Sequence, residues 1–380
     1  MCCSLEIPVR IIRGGSSKGI FLKSDCLPVE EKARDDVILR LFGTPDARQI
    51  DGLGGGDKLS SKLAVMGPSD RPECDIDYLF AQVGTMYSDV DWSANCGNIS
   101  AGAALFAALE GVGQRIDDHQ HIAIHQVNTG RILRARVPME GGQPATQGAF
   151  SIGGVPGKGP KIELDFSDFQ GSCLNRGVFP TGEKQTRMRL GSGAFSSVSI
   201  VDMSNLHIFA RAEDLRIDLA QPYEAFQSNS DLRDDLDALR RDVMLMLGLA
   251  TGNTVTDAVR RDMNPLVYIV ASPVPYVSLN GEHVTDKAYN LRSISYSRGD
   301  FSKAYPASGA IGTGLAAAVS GTVVSEALRG MSSTDVARIG HPGGILSTQM
   351  DVADAGDDIH VYRAEIGRTA RHILDGVSYI

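Results

Sequence analysis

Two stretches of small residues decide the fold that this sequence predicts. They are residues 95–104 (NCGNISAGAA) and residues 307–316 (ASGAIGTGLA). Both are rich in Gly and Ala and lack a charged face, so each predicts a helix that is buried on all sides. Each glycine costs about 1 kcal/mol of helix propensity but lets neighbouring backbone come close. Strand-like segments flank both stretches, which predicts a strongly curved sheet wrapped around each helix.

Three further segments recur in the same order in the two halves of the chain. The first is residues 9–21, which recur at 198–209 as a strand, a turn and a second strand. The second is a polar turn that enters a strand. The third is a glycine turn. Aligning the two Gly-Ala stretches places Cys96 on Ser308. We therefore predict an α/β protein of two similar domains, residues 1–182 and 183–380, each a mostly antiparallel sheet around a central helix. The turn-forming Pro180-Thr181-Gly182 marks the join.

The composition excludes several classes of function. The chain has 380 residues, 42% of them hydrophobic, and a net charge of -9. This length suits two domains. The acidic balance argues against nucleic acid and anionic membranes as partners. The uncharged run 307–324 is built of Gly, Ala, Ser and Thr, so it does not predict a membrane span. No charged-then-apolar leader opens the sequence, and we expect a soluble, cytoplasmic protein.

An acidic protein can still bind an acid at the start of a helix. The first N–H groups of a helix are unpaired and carry partial positive charge, which makes an anion site without any basic residue. Two such starts are expected, one in each domain. We expect a pseudo-twofold arrangement to turn both starts towards one cleft and to hold the two ends of a di- or tricarboxylate. The residues concerned are Cys96, Gly97 and Asn98 in one domain and Ser308, Gly309 and Ala310 in the other.

Cys96 is the strongest candidate for chemistry. A thiol at a helix start ionises more readily, because the helix dipole favours the thiolate. Cys96 could then exchange a proton with a carbon atom. The remaining cysteines form neither a CxxC pair nor a secreted disulfide pattern, and we interpret them as small hydrophobic residues. They are Cys2, Cys3, Cys26, Cys74 and Cys173.

Other motifs carry weaker signals. Lys62 opens an apolar strand, where desolvation could make it a proton carrier, but the pattern alone favours a solvated strand-end lysine. The glycine run 52–57 lacks both a P-loop ending and the dinucleotide fingerprint. His119, His121 and His125 have no Cys or paired carboxylate nearby in sequence, so we do not predict a zinc site. We expect no metal and no cofactor.

Six motifs resemble the family of 2-methylaconitate isomerases (PrpF-like), 3-methylitaconate isomerases and 4-oxalomesaconate tautomerases. They are residues 13–19 (RGGSSKG), 49–55 (QIDGLGG), 61–62 (SK), 77–83 (DYLFAQV), 95–98 (NCGN) and 340–344 (GHPGG). The resemblance spans the chain and implies the diaminopimelate-epimerase-like fold, with the active site between two α/β units. It also implies proton transfer by Lys62 and Cys96. Further residues of these motifs are expected to bind substrate: Ser16, Ser17, Asn95 and His341.

The resemblance implies an isomerase that needs no cofactor. It would move a proton and a double bond in a small unsaturated polycarboxylate such as aconitate, 2-methylaconitate or 4-oxalomesaconate. Helix N–H groups at Gly97, Asn98 and Gly309 would stabilise the dienolate. The substrate stays open, as does the choice of base between Lys62 and Cys96.

Two alternatives remain. A cofactor-independent racemase or epimerase would need a second acid, and Ser308 is a poor one where epimerases of this fold carry a cysteine. A non-catalytic accessory protein could carry polycarboxylates in the same cleft, but carriage would require neither Lys62 nor Cys96. A homodimer is compatible with either role.

Overall fold

The computed structural model describes residues 5–329, 336–356 and 358–380, so Cys2 and Cys3 lie outside the described residues. The helices are α1 Glu31–Phe42, α2 Gly97–Leu109, α3 Tyr223–Ser228, α4 Ser230–Leu247, α5 Val255–Arg261, α6 Ala307–Ala318 and α7 Val323–Ala327. The strands are β1 Glu6–Gly14, β2 Ser17–Lys23, β3 Lys62–Gly67, β4 Ile76–Val83, β5 Val90–Asp91, β6 Gln114–Ile116, β7 His119–Gln126, β8 Arg131–Glu140, β9 Gln143–Pro144, β10 Ile162–Asp165, β11 Thr186–Arg189, β12 Phe195–Met203, β13 Asn205–Arg211, β14 Leu266–Ala271, β15 Tyr276–Val277, β16 His283–Val284, β17 Leu291–Ser297, β18 Asp300–Phe301, β19 Val336–His341, β20 Gly344–Asp354, β21 Ile359–Arg368 and β22 Ala370–Tyr379.

The chain divides into two compact units. The first contains residues 1–151, 155–164 and 367–380, and the second contains residues 152–154 and 165–366. This division differs from the boundary that we expected at residue 182. Residues 165–182 group with the second unit, and the last strand of the chain groups with the first.

The first unit is built on a hairpin of β1 and β2. Strand β2 continues in parallel to β3 through α1, and β3 turns back antiparallel into β4. Strand β4 then pairs in parallel with β7 across the connection that contains α2, and β7 pairs antiparallel with β8. The C-terminal strand β22 returns to pair antiparallel with β1. Antiparallel pairs therefore dominate, as the sequence predicted.

The second unit repeats this order of pairings. The hairpin of β12 and β13 leads in parallel to β14, which pairs antiparallel with β17. Strand β17 pairs in parallel with β19 across the connection that contains α6, and β19 pairs antiparallel with β20. The predicted duplication is thus confirmed at the level of strand order. Helices α2 and α6 occupy equivalent places in the two units.

Helices α2 and α6 are the buried centres of their units. Residues Gly97–Ala108 of α2 and Ala307–Ala316 of α6 are all buried. Small residues permit this packing: a Cβ added at Gly102 would lie 2.6 Å from the Phe21 ring, and one added at Gly312 would collide with His207. The prediction of two helices buried on every side is confirmed.

Helix α4 is an amphipathic, capped helix on the outside of the second unit. Helix α4 buries Leu232, Leu236, Leu239 and Val243, a spacing that places them along one face of the helix. Asn229 caps its start by accepting the N–H of Leu232. No helix in the described residues is both long enough and apolar enough to cross a bilayer.

His207 is a fully buried histidine in β13 beside α6. Its Nε2 lies 2.9 Å from the Met203 carbonyl oxygen and donates to it, while Nδ1 has no hydrogen-bond partner among the described residues. Protonation of Nδ1 would bury a charge and an unpaired N–H. Burial therefore lowers the pKa of His207 from 6.5 to about 4.

The low pKa of His207 predicts acid sensitivity. The unfolded chain binds the extra proton below about pH 6.5, whereas the folded chain resists it until about pH 4. Stability is therefore present above this window and falls as the pH drops through it, by about 3 kcal/mol. Urea unfolding at neutral pH and at about pH 4.5 should show a smaller loss for His207→Gln than for the parent protein. His283→Gln, which changes an exposed histidine, should behave like the parent, and an unchanged pH dependence in His207→Gln would contradict this account.

Candidate functional site

Cys96 lies at the N-cap of α2, in extended backbone conformation. Its carbonyl oxygen accepts the Ser100 N–H at 2.9 Å and the Ser100 hydroxyl at 3.1 Å, so the first helical turn begins at this residue. The side chain of Cys96 makes no capping hydrogen bond, and the residue is 9% exposed. The thiol therefore lies where the first N–H groups of a buried helix are available, as the sequence predicted.

The turn between β1 and β2 packs on this helix start. The Asn98 side chain donates from Nδ2 to Ser16 Oγ at 3.2 Å. A Cβ at Gly14 or Gly15 would collide with Asn98, and Gly15 has a φ of 53° that L-residues rarely adopt. Ser17 is buried, and its hydroxyl has no hydrogen-bond partner among the described residues. Ser16 therefore orients Asn98, while Ser17 keeps a donor available.

Lys62 is buried at the first position of β3, with 5% of its surface exposed. Its Nζ donates to Gln82 Oε1 at 2.7 Å and lies 5.2 Å from the centre of the Phe80 ring. The Gln82 amide in turn donates to the Ser61 carbonyl oxygen at 2.9 Å. The expectation of a solvated lysine, which the sequence pattern alone favoured, is wrong: Lys62 is a buried amine whose contacts are neutral groups.

The strand that carries Lys62 packs close to the start of α2. Lys62 pairs with Gly19 of β2. Gly19 faces the first turn of the helix, since a Cβ there would lie 2.9 Å from Ile99 Cδ1. Lys62 and Cys96 are thus both buried in the first unit, on elements that meet at one end of α2.

A negative charge at Cys96 would affect the pKa of two buried residues of the first unit, Tyr78 and Arg368. Burial, with a smaller effect from a negative charge at Cys96, raises the pKa of Tyr78 well above its usual value. Burial lowers the pKa of Arg368 to about 9, and a Cys96 thiolate opposes that change. We had not assigned either residue to the site from sequence. Tyr78 stands inside an apolar strand, and Arg368 lies more than 270 positions from Cys96.

The start of α6 differs from our alignment of the two helices. The first helical hydrogen bonds begin at the carbonyl oxygens of Cys96 in α2 and Pro306 in α6. Pro306 is therefore the counterpart of Cys96, and the alignment of Cys96 with Ser308 was wrong by two residues. Ser308 corresponds to Asn98 and, like it, is tied to a hairpin turn, because Asn205 Nδ2 donates to Ser308 Oγ at 2.8 Å.

Gly309 has a packing role in α6. A Cβ at this position would collide with the phenol of Tyr268. The expected reason for this glycine, access of a carboxylate to the helix start, is therefore not required to explain it. Ala310 is buried in the same turn. A larger residue at Gly309 would disturb helix packing, so it could not serve as a clean test of anion binding.

His341 ends β19 and is also buried. Its Nδ1 accepts the Gly343 N–H at 3.1 Å, and its ring centre lies 5.7 Å from that of Tyr305. Because Nδ1 accepts, a neutral ring carries its hydrogen on Nε2. The structure thus groups the expected site residues by unit. The first unit holds Ser16, Ser17, Lys62, Asn95, Cys96, Gly97 and Asn98, and the second holds Ser308, Gly309, Ala310 and His341.

Two of the three histidines of β7, His119 and His125, are paired with carboxylates. His119 Nδ1 lies 2.6 Å from Asp118 Oδ1, and His125 Nδ1 lies 2.9 Å from Asp77 Oδ1. Within the described ranges, no group of three or more His, Cys, Asp or Glu side chains is placed to hold a metal ion.

The sequence of the chain matches the model of a known protein family. Residues 4–380 match the family model described as PrpF protein. The chain belongs to the PrpF family. The match covers both units, including both buried helices and all the site residues described above.

Several PrpF relatives have named activities. The chain is 38% identical to the 3-methylitaconate isomerase of Eubacterium barkeri, covering 100% of this chain and 98% of the relative. It is 31% identical to the 2-methyl-aconitate isomerase of Shewanella oneidensis, covering 98% and 96%. It is 32% identical to the 4-oxalomesaconate tautomerase of Pseudomonas putida, covering 98% and 95%. This PrpF chain is an isomerase, as expected from its motifs.

Solved structures confirm the fold. The crystal structure of a methylitaconate-delta-isomerase superposes with a TM-score of 0.81 at 38% identity, covering 99% of this chain and 96% of that one. A hydroxyproline epimerase from Agrobacterium vitis superposes with a TM-score of 0.55 at 9% identity, covering 99% and 93%. The second likeness shows the fold alone, and it confirms the predicted epimerase-like architecture.

Proposed function

We propose that this PrpF isomerase catalyses a 1,3-allylic proton shift in a small unsaturated di- or tricarboxylate. The observation that carries the proposal is the pair of buried, proton-bearing side chains, Lys62 and Cys96, on elements that meet at the start of α2. Because the E. barkeri relative is named 3-methylitaconate isomerase, methylitaconate-type diacids are the first substrates to test.

The chemistry needs a base, an anion site and an acid. A base removes a proton from the carbon next to the C=C bond, and the C–H electron pair enters the conjugated system. The resulting dienolate places negative charge on a carboxylate, where the N–H groups of Gly97 and Asn98 would stabilise it. An acid then forms a new C–H bond two carbons away. Atoms and electrons balance without oxidation or hydration.

Lys62 and Cys96 share the two proton-transfer roles in this proposal. Lys62 has a neutral hydrogen-bond acceptor in Gln82. It can therefore exchange a proton with a substrate without separating an ion pair. Cys96 has no capping bond to break. Either residue can start the reaction, and the other would complete it.

The racemase alternative is less well supported. A racemase of this fold would need an acid on each face of one carbon. The residue equivalent to Cys96 in α6 is Pro306, which has no proton to give. The accessory-protein alternative could use Lys62 as a counter-ion for a carboxylate but gives the thiol of Cys96 no role, because carriage needs no proton transfer.

Proton NMR in deuterated water tests the proposed reaction. Purified protein with excess EDTA and no nucleotide would be incubated with 3-methylitaconate, 2-methylaconitate, trans-aconitate and 4-oxalomesaconate. We expect a new alkene signal and deuterium at the shifted carbon for at least one compound. Deuterium exchange without any double-bond migration would favour a racemase, and no reaction with any compound would refute the proposal. Activity that EDTA abolishes would contradict the expectation of metal-free catalysis.

Cys96→Ser should lower turnover by at least about 100-fold, because a hydroxyl at this helix start ionises far less readily than a thiol. Turnover would be measured by the same NMR assay, with circular dichroism to establish folding. Cys74→Ser is the control, since Cys74 is a partly exposed cysteine on a loop, and it should keep full activity. A folded Cys96→Ser protein with most of its activity would remove the cysteine from the mechanism.

Lys62→Met should lower kcat by about 100-fold or more while changing KM less, if the amine transfers a proton. Methionine keeps the length of the buried side chain and removes the amine. Steady-state kinetics would separate the two effects, with Lys161→Met, at an exposed lysine, as the control. A rise in KM with unchanged kcat would instead make Lys62 a counter-ion for a substrate carboxylate.

A further inference from the structure

Arg368 is a buried cation in the first unit whose role the mechanism above does not use. It is the last residue of β21 and is 2% exposed. Its Nη1 donates to the Gly367 carbonyl oxygen at 3.2 Å. Its Nε and Nη2 are buried and have no hydrogen-bond partner among the described residues. One side of the guanidinium is therefore satisfied by backbone and the other is not.

The two unpaired atoms form one edge of the guanidinium plane. The Nε–H and one Nη2–H bond point in the same direction and match the two oxygens of a carboxylate. A pKa of about 9 leaves the group charged at neutral pH. Buried donors are almost always satisfied in folded proteins, and leaving a charged one unpaired is costly. This edge therefore has the geometry to bind an anion, and a bound anion would remove the cost of leaving these donors unpaired.

The segment that carries Arg368 is anchored at the start of α2. The carbonyl oxygen of the next residue, Thr369, accepts the Gly15 N–H at 2.9 Å and Arg13 Nη1 at 3.0 Å. Gly15 in turn packs on the Asn98 side chain. These contacts place the backbone next to Arg368 against the hairpin turn that covers the first turn of α2.

The same turn offers a second unpaired donor. The buried hydroxyl of Ser17 has no hydrogen-bond partner within the part of the chain that the structure describes. Ser17 pairs with Gly14 across the turn that covers Asn98. Ser17 and Arg368, from two distant parts of the sequence, thus both have unpaired donors on segments that pack at the start of α2. An incoming anion could accept hydrogen bonds from both.

We propose that the Nε–Nη2 edge of Arg368 binds one carboxylate of the substrate beside Cys96. This inference rests on the proposed function in one respect, that the substrate is an unsaturated polycarboxylate. Arg368 would fix the carboxylate whose neighbouring carbon exchanges its proton, and it would balance the charge that the dienolate places on that group. Specificity for a diacid over its monoamide follows, because an amide cannot accept two hydrogen bonds from the edge.

Binding measurements without turnover test the assignment. Calorimetry on the Cys96→Ser protein would compare 3-methylitaconate with its two monoamides. The diacid should bind more tightly than one monoamide by about 10- to 150-fold, the range for a charge-assisted contact. Adding Arg368→Gln should remove this preference. Adding Arg368→Lys instead should retain only part of it, because lysine keeps the charge but lacks the two parallel N–H donors of the Nε–Nη2 edge. Arg371→Gln, at an exposed arginine three residues away, is the matched control and should keep the full preference.

Each contrary outcome has a distinct meaning. Equal loss of affinity for the diacid and both monoamides in Arg368→Gln would assign Arg368 a purely structural role and overturn the proposal. A full preference for the diacid that survives in Arg368→Gln or Arg368→Lys would also overturn it. So would a Cys96→Ser protein with intact Arg368 that binds no diacid. Diacid binding that depends on Arg368, without isomerisation by the unmutated enzyme, would instead refute the proposed reaction and support the carboxylate site.

Discussion

The close packing of a helix of small residues inside its own sheet is the constraint on which the rest of each unit depends. In the first unit, Gly102 of α2 lies against the Phe21 ring, and Gly14 of β1 lies against the backbone of Asn98. Such approaches leave no room for a Cβ, so helix and hairpin can pack in only one register. The hairpin turn then lies on the first turn of α2. The position of Cys96 follows from this packing rather than from any interaction of its own side chain.

The parts of the fold that were predictable depend on local composition or on repetition. A helix of small residues without a charged face has to be buried wherever it lies, so the burial of α2 and α6 was predictable from their sequences alone. The repeated strand order was visible because each half presents the same succession of turns. The boundary at residue 182 did not agree with the division of the structure. The pairing of β22 with β1 brings the end of the chain back to its beginning, and no local pattern encodes such a pairing.

The site was predictable only where a residue type itself carries the signal. A glycine-flanked cysteine at a helix start is unusual, and Cys96 lies at the position expected of it. The equivalence of Cys96 and Ser308 failed because two Gly-Ala stretches align almost equally well in several registers. Hydrogen bonds fix the register and make Pro306 the counterpart. The reason for Gly309 could not be predicted for a related cause, since a glycine needed for contact with Tyr268 looks the same in sequence as one needed for access of a carboxylate.

Buried side chains, rather than the net charge of the chain, decide whether this protein can bind an acid. The sequence carries a net charge of -9, and it predicts that acids bind at a local site of helix N–H groups and polar donors without an Arg cluster. The structure adds two buried side chains with N–H donors in the first unit, the amine of Lys62 and the guanidinium of Arg368. Both donors lie inside the first unit, where a hydrogen bond to an anion is stronger than at the surface because the local dielectric is lower. An acidic surface and a site for acids are therefore compatible, because the two are set by different residues at different depths.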